Sequence, residues 1–288
     1  MSFIVSTDAA ADLELDYIAS RDIKVISMRF TLDGTEYSFG NGEPGLSMPE
    51  LFKRLRKGAS AKSQLITAET HIDHFEPFLK EGRDVLHIPL SSGLSGTCEN
   101  AKSAAEQLKE KYPHNTVFVY DFRGASMGQG LCVDYLARMR DEGKSAFEAA
   151  AWVEANAKKF CHFFTVDDLG HLRRGGRISG FSSFVGSILK IKPLLHINNE
   201  GKLIPLKKLL GRNKALHSLT EKYKELSLEG DQRVFICHAD CEEDAKSVAE
   251  KLSSEADVSD ITVGGMGPII GLHAGPGTVA LFFMGKSR

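Results

Sequence analysis

The stretch "DVLHIPLSSGLSGTCENAKSAAEQLKEK", Asp84 to Lys111, constrains the fold more than any other. A continuous apolar run passes straight into a loop of serines and glycines, and the loop opens a helix-length segment. A strand that reads apolar on both faces and feeds a helix belongs to a parallel sheet covered on both sides. "FIVSTD" (Phe3 to Asp8) and "TVFVYD" (Thr116 to Asp121) have the same form. The chain is therefore expected to be α/β, its first half doubly wound around a mainly parallel sheet. "IKVISMRFTLDGTEYSF" predicts a hairpin turning at Asp33-Gly34. Ser47 with Glu50, and Ser145 with Glu148, have capping-box spacing and predict helix starts.

The second half supplies "KPLLHIN", "KLIPLKK", "RVFICHAD", "ITVGG" and "TVALFFM" as strands, with helices over about Arg212 to Leu226 and Glu242 to Ser254. A chain of 288 residues exceeds the usual size of one core. We therefore expect two α/β domains, residues 1–158 and 159–288, the second carrying the "GGRIS" and "GLHAGPG" loops. No repeat of solenoid period and no low-complexity segment is present.

A formal net charge of -2 gives no electrostatic footprint for nucleic acid. No run approaches the roughly 20 apolar residues of a membrane span, and no positive segment followed by a long apolar one opens the sequence. The expected location is cytoplasmic, with transient membrane contact left open. The five cysteines are odd in number and lack the spacing of a disulfide framework, so reduced thiols are expected.

Several motifs suggest chemistry and fail on context. "GNGEPG" (Gly40 to Gly45) has dinucleotide glycine spacing but follows a hairpin, and the terminal "GKS" lacks the first glycine of a P-loop and a following helix. "CHADC" packs potential zinc ligands together, yet Cys237 and His238 would point to opposite faces of a strand. "HIDHF" sets His71 and His74 three apart on a helix without an evident third ligand, and a solvated helix face is expected there. No metal is expected.

Three clusters survive. In "SSGLSGT" (Ser91 to Thr97), hydroxyls and glycines at the carboxyl end of a parallel strand present backbone N–H groups and a helix N-terminus to an anion. A single helix cap would explain one of these hydroxyls but not all. In "LGHLRRGGRISG" (Leu169 to Gly180), Arg173, Arg174 and Arg177 suit a carboxylate or phosphate, with solvated surface arginines as the alternative. In "GPIIGLHAGPG", His273 stands among glycines that leave its ring open to a ligand; a core histidine bonded to a carbonyl is the alternative.

Together with "TDAAADL" (Thr7 to Leu13), these stretches resemble, in order and from Thr7 to Gly277, the DegV family, the fatty-acid-binding proteins that serve bacterial fatty acid kinase. The resemblance implies two α/β domains with a ligand tunnel between them and a long acyl chain as ligand. No cofactor and no catalytic residue is implied: a separate ATP-binding kinase subunit phosphorylates the bound carboxylate to an acyl-phosphate. It further implies that Ser92 and Ser95 hold the carboxylate, and that Arg177 and His273 lie at the tunnel mouth. The apolar "FSSFVGSILKIKPLL" (Phe181 to Leu195) would then line the chain or serve as ordinary core.

The sequence departs from the family pattern in three places. "KSQL" (Lys62 to Leu65) stands where the family usually reads Thr-Ser-Gln-Pro. Lys62, beside Ser63, then stands where the family's threonine meets the carboxylate; an ion pair from Lys62 would strengthen binding but hold the nucleophile more tightly, with a solvated loop lysine as the alternative. Leu210 replaces the earlier of two arginines, leaving Arg212, and Ala9 replaces a hydroxyl residue. Two other functions compete with an acyl carrier. One is a hydrolase or phosphotransferase using His273 and the serine loop, which would need an acidic residue beside the histidine, with Asp8 a candidate. The other is a lipid store or sensor without a kinase.

Overall fold

The computed structural model describes residues 2–40, 45–178, 191–229, 233–256, 258 and 260–288. Most of "GNGEPG", the end of "GGRISG" and all of Phe181 to Lys190 lie outside the described residues. Thirteen strands, numbered in chain order among the described residues, form three sheets. The first sheet is wholly parallel, in the order β2 (Ile23–Ile26), β1 (Ile4–Asp8), β6 (Val85–Ile88), β7 (Val117–Val119). The second sheet is mixed: β10 (Leu203–Leu210), β9 (Ile191–Ile197), β8 (Phe160–Thr165), β13 (Val279–Met284), β11 (Arg233–His238), β12 (Asp260–Gly265). The third is a small antiparallel sheet of β4 (Thr35–Phe39), β3 (Met28–Leu32) and β5 (Ala61–Ser63).

The parallel sheet winds from β1 outward to β2, then returns to add β6 and β7 on the other side of β1. Its direction therefore reverses between β1 and β6, and a crevice outside the carboxyl ends of those two strands is where doubly wound sheets bind ligands. The loops at that point are "TDAAADL" and "SSGLSGT". The predicted hairpin is realised only over β3 and β4. "IKVI" instead leaves to become the edge strand β2, since beside β1 it buries Ile23, Val25 and Ile26.

Helices start where the capping signals predict. Ser47 caps Met48–Arg56 by accepting from the Glu50 N–H, and Ser145 with Glu148 completes a reciprocal box on Ala146–Asn156. The helix Ser126–Asp141 is buried on nearly every side, packing against β1 of the parallel sheet and against β8, β11 and β13 of the mixed one. One buried apolar cluster consequently runs through both sheets, from Phe3 to Met284. A second fills the far side of the mixed sheet around Phe163, Tyr223 and Phe283.

The helix Ala68–Lys80 corrects the expectation for His71 and His74. His71, Phe75 and Leu79 repeat every four residues and form the buried stripe, so His71 faces the core. The Ser6 hydroxyl bridges His74 Nε2 and His87 Nδ1, each at 2.9 Å. Burial pushes His71 and His87 down, and burial with the neighbouring His71 and Lys24 charges lowers His74 to about 4. Among the described residues no group of three or more His, Cys, Asp or Glu is placed to hold a metal ion. Cys237 is buried 4.0 Å from Asp12, and Cys241 contacts the Thr278 carbonyl at 3.3 Å. No helix among the described residues is long and apolar enough to cross a membrane.

Candidate functional site

The loops at the switch point are fixed from beneath by polar groups. Asp8, at the end of β1, accepts from Leu90 N–H at 2.8 Å, Ala10 N–H at 3.1 Å and Gln129 Nε2 at 3.0 Å. Gln129 Nε2 also donates to Thr7 Oγ1 and to the Ile88 carbonyl, tying β1 to β6. Burial raises the Asp8 carboxyl to about 6 against the pull of these donors. Asp12 joins two distant segments, accepting from Ser126 Oγ at 2.6 Å and from Gly267 N–H at 3.0 Å. Burial raises it to about 7.

Between this junction and the mixed sheet lies a mainly apolar cavity that opens to solvent. Met28, Leu90, Leu94 and Ala125 line it from one side, and Phe164, Ile197, Ile269, Ala280 and Phe282 from the other. Four polar side chains stand together in the lining: Ser63, Ser95, Arg177 and His273. Ser63, Arg177 and His273 also border an outer cleft that includes Lys62, His171 and Arg174. This shared border makes them the mouth of the apolar cavity.

Each mouth residue has a local cause. Ser63 is on β5 opposite Phe30, so its side chain takes the buried face of that small sheet. Lys62 pairs with Thr31 and takes the other face, where it is exposed. Ser95 accepts from Thr97 N–H at 3.2 Å and donates to Thr97 Oγ1 at 3.0 Å, just ahead of the helix Thr97–Lys111. Ser92 turns outward: its hydroxyl donates to Asp121 at 2.5 Å, and the residue is exposed and outside the cavity lining. Arg177 donates from Nε to the Leu94 carbonyl at 3.3 Å and from Nη1 to the Gly175 carbonyl at 2.6 Å. The guanidinium thereby links the serine loop to the "RRGG" turn.

His273 is in a short helix, Pro268–Ala274, and not in an open loop. Pro268 starts the helix and Gly275, at φ +83°, ends it. The ring is held in a tight space, because a Cβ on Gly175 would come within 2.4 Å of His273 Nδ1. Nε2 meets Ser63 Oγ at 2.9 Å. Burial, with the Arg177 charge adding to it, lowers the imidazole to about 4, so the ring is neutral at pH 7. Asp8 is engaged by Leu90, Ala10 and Gln129, and among the described residues no carboxylate pairs with His273.

The remaining arginine of the "KKLLGRNKAL" stretch, Arg212, is paired with Asp244 at 2.7 Å and Asp167 at 3.6 Å, while Leu210 is 60% exposed. Asp12, Gln129 and His162, which the sequence did not single out, contribute with Asp8 to the junction or the cavity wall.

Comparison with known proteins bears out the fold. A family model for uncharacterised proteins of the DegV family matches residues 2–286. A DegV domain-containing protein of Clostridium perfringens is 39% identical over 287 residues, covering 99% of this chain and 98% of its own. A DegV lipid-binding protein of Thermotoga maritima superposes with a TM-score of 0.87 at 30% identity, covering 100% of both chains. A fatty-acid-binding DegV family protein of Thermus thermophilus superposes with a TM-score of 0.88 at 27% identity, covering 99% of this chain and 100% of the other.

Proposed function

The chain belongs to the DegV family, and from that premise we propose that it is a fatty-acid carrier, holding one long acyl chain between its two halves, 1–158 and 159–288. The observation that carries this reading is a mainly apolar cavity with hydroxyls, a guanidinium and an imidazole gathered at its mouth. Burying an acyl chain gains about 0.8 kcal/mol per methylene, so such a cavity holds a long acid strongly with few polar contacts. A buried carboxylate needs donors, and Ser63, Ser95 and Arg177 supply them, with His273 steadying Ser63. Ser92 acts indirectly, through Asp121, on the shape of the loop. The carboxylate end then faces the outer cleft, where an ATP-bearing kinase subunit would reach it in the cytoplasm. The absence of any carboxylate partner for His273 among the described residues favours a carrier over a self-sufficient hydrolase.

Replacing Ser63 with Ala tests the assignment. Removing a hydrogen bond to a charged group costs about 1.5–3 kcal/mol, so palmitate affinity by calorimetry is expected to fall roughly ten- to hundredfold. Unchanged affinity would move the carboxylate elsewhere. Purified alone, the protein is expected not to turn over an acyl-phosphate or an activated ester, and to be captured by an acyl-kinase subunit. Turnover would bring the hydrolase reading forward, and failed capture would favour a lipid store.

Lys62 acts on the head group only across the outer cleft in this reading. Lys62→Thr is expected to change palmitate affinity by no more than about threefold, an effect that vanishes in high salt because exposed charges are screened. A larger, salt-insensitive loss would show a direct ion pair.

A further inference from the structure

The inner end of the cavity is polar, and the acyl-carrier reading does not use it. Along β8 and β13 the lining runs from Phe164 and Ala280 to His162 and Phe282, which are partners across the strands. One step further, Phe160 packs edge-on against Phe122 at 4.8 Å. Four residue steps lead from Thr278, at the outer side, to Phe282, a span of about 13 Å at strand spacing.

His162 is 1% exposed. Its Nδ1 lies 3.0 Å from the Phe160 carbonyl, which can only accept, so Nδ1 carries the proton and Nε2 presents a bare lone pair. Nε2 is buried and has no partner among the described residues. The ring seats against Gly124 and Gly128, where a Cβ at Gly128 would come within 2.3 Å of Nε2. Ser126, also in the lining, spends its proton on Asp12 and offers only lone pairs. Burial holds the His162 ring in its neutral, accepting form.

We propose that this inner end is a subsite for a hydroxyl group on the acyl chain, donated to His162 Nε2 with Ser126 Oγ as a neighbouring acceptor, so that the protein accepts fatty acids hydroxylated far from their carboxylate. The chemistry sorts the two ends of such a ligand. A carboxylate, which only accepts, is repelled by the inner lone pairs and suits the donors at the mouth, whereas a hydroxyl can donate inside. The inference rests on the acyl-carrier reading.

The test compares stearate with stearates bearing one hydroxyl at mid-chain, at the terminal carbon or next to the carboxylate, by calorimetry at about pH 8 on delipidated protein. One of the two remote hydroxy acids is expected to bind within about threefold of stearate, since its hydroxyl is paired. In His162→Phe the affinity of the same acid relative to stearate is expected to fall more than about tenfold. His162→Gln, which keeps an acceptor, is expected to restore most of the difference. If stearate binds but every remote hydroxy acid is more than tenfold weaker in the wild type, or if His162→Phe leaves the ratio unchanged, the subsite is refuted and the carrier reading stands. If no acid binds, both fall together.

Discussion

Shifting the delipidated protein from about pH 7.5 to about pH 5.5 is expected to lower its unfolding free energy by about 3 kcal/mol, and its Tm by about 5–10 °C. The cause is the buried imidazoles. His74 and His273 are depressed to about 4, and His71, His87 and His162 lie below their ordinary range as well. An unfolded chain takes protons on these rings as the pH passes 6.5, and the folded chain does not, so stability is lost as the pH falls through that value. One unit below 6.5, each deeply depressed ring contributes about 1.4 kcal/mol to the loss. Asp8 and Asp12, raised to about 6 and about 7, act in the opposite direction. They take protons in the folded state that unfolded carboxyls do not, which offsets part of the loss. Asp12→Asn should therefore steepen the acid dependence, and His74→Phe should flatten it. Denaturant titrations at a series of pH values check both. A flat profile would mean that these rings are solvated in the native state.

The second large effect concerns the cavity. Ala280 lies in its wall on β13, opposite Phe164, and its methyl group faces the space that the acyl chain would occupy. Ala280→Phe is expected to reduce palmitate affinity by more than about a hundredfold, since a ring displacing about four methylenes removes about 3 kcal/mol of burial. The folded state should lose little, because the ring enters existing space. Calorimetry with palmitate, paired with a thermal melt, separates the two quantities. Retained affinity in a folded variant would place the ligand outside this cavity.

How much of this was legible in the sequence depended on the range of the interactions involved. The "DVLHIPL" strand, its serine loop and the helix after it are coded locally, as are the capping boxes at Ser47 and Ser145, and they appear where expected. The face of His71 was also readable, since His71, Phe75 and Leu79 share one helical stripe. The helix under His273 was masked by its glycines, although Pro268 and Gly275 carry the start and stop signals. Ser92 and Ser95 look equivalent in the chain. Asp121, 29 residues away from Ser92, turns one outward. Asp12 and Gly267 are 255 residues apart, and no local pattern announces such a pairing. His162 sits in "CHFFTV", which reads as an apolar strand, and its exceptional nitrogen emerges only when Phe160, Gly128 and Phe282 surround it.

The most direct test of the carrier account is native mass spectrometry of the protein as purified, followed by denaturing extraction of whatever is bound. One fatty acid of about palmitate to stearate length per chain is expected, a length in keeping with burial at about 0.8 kcal/mol per methylene. That acid should be lost in Ala280→Phe. An apo mass that does not change after incubation with fatty acids would contradict it.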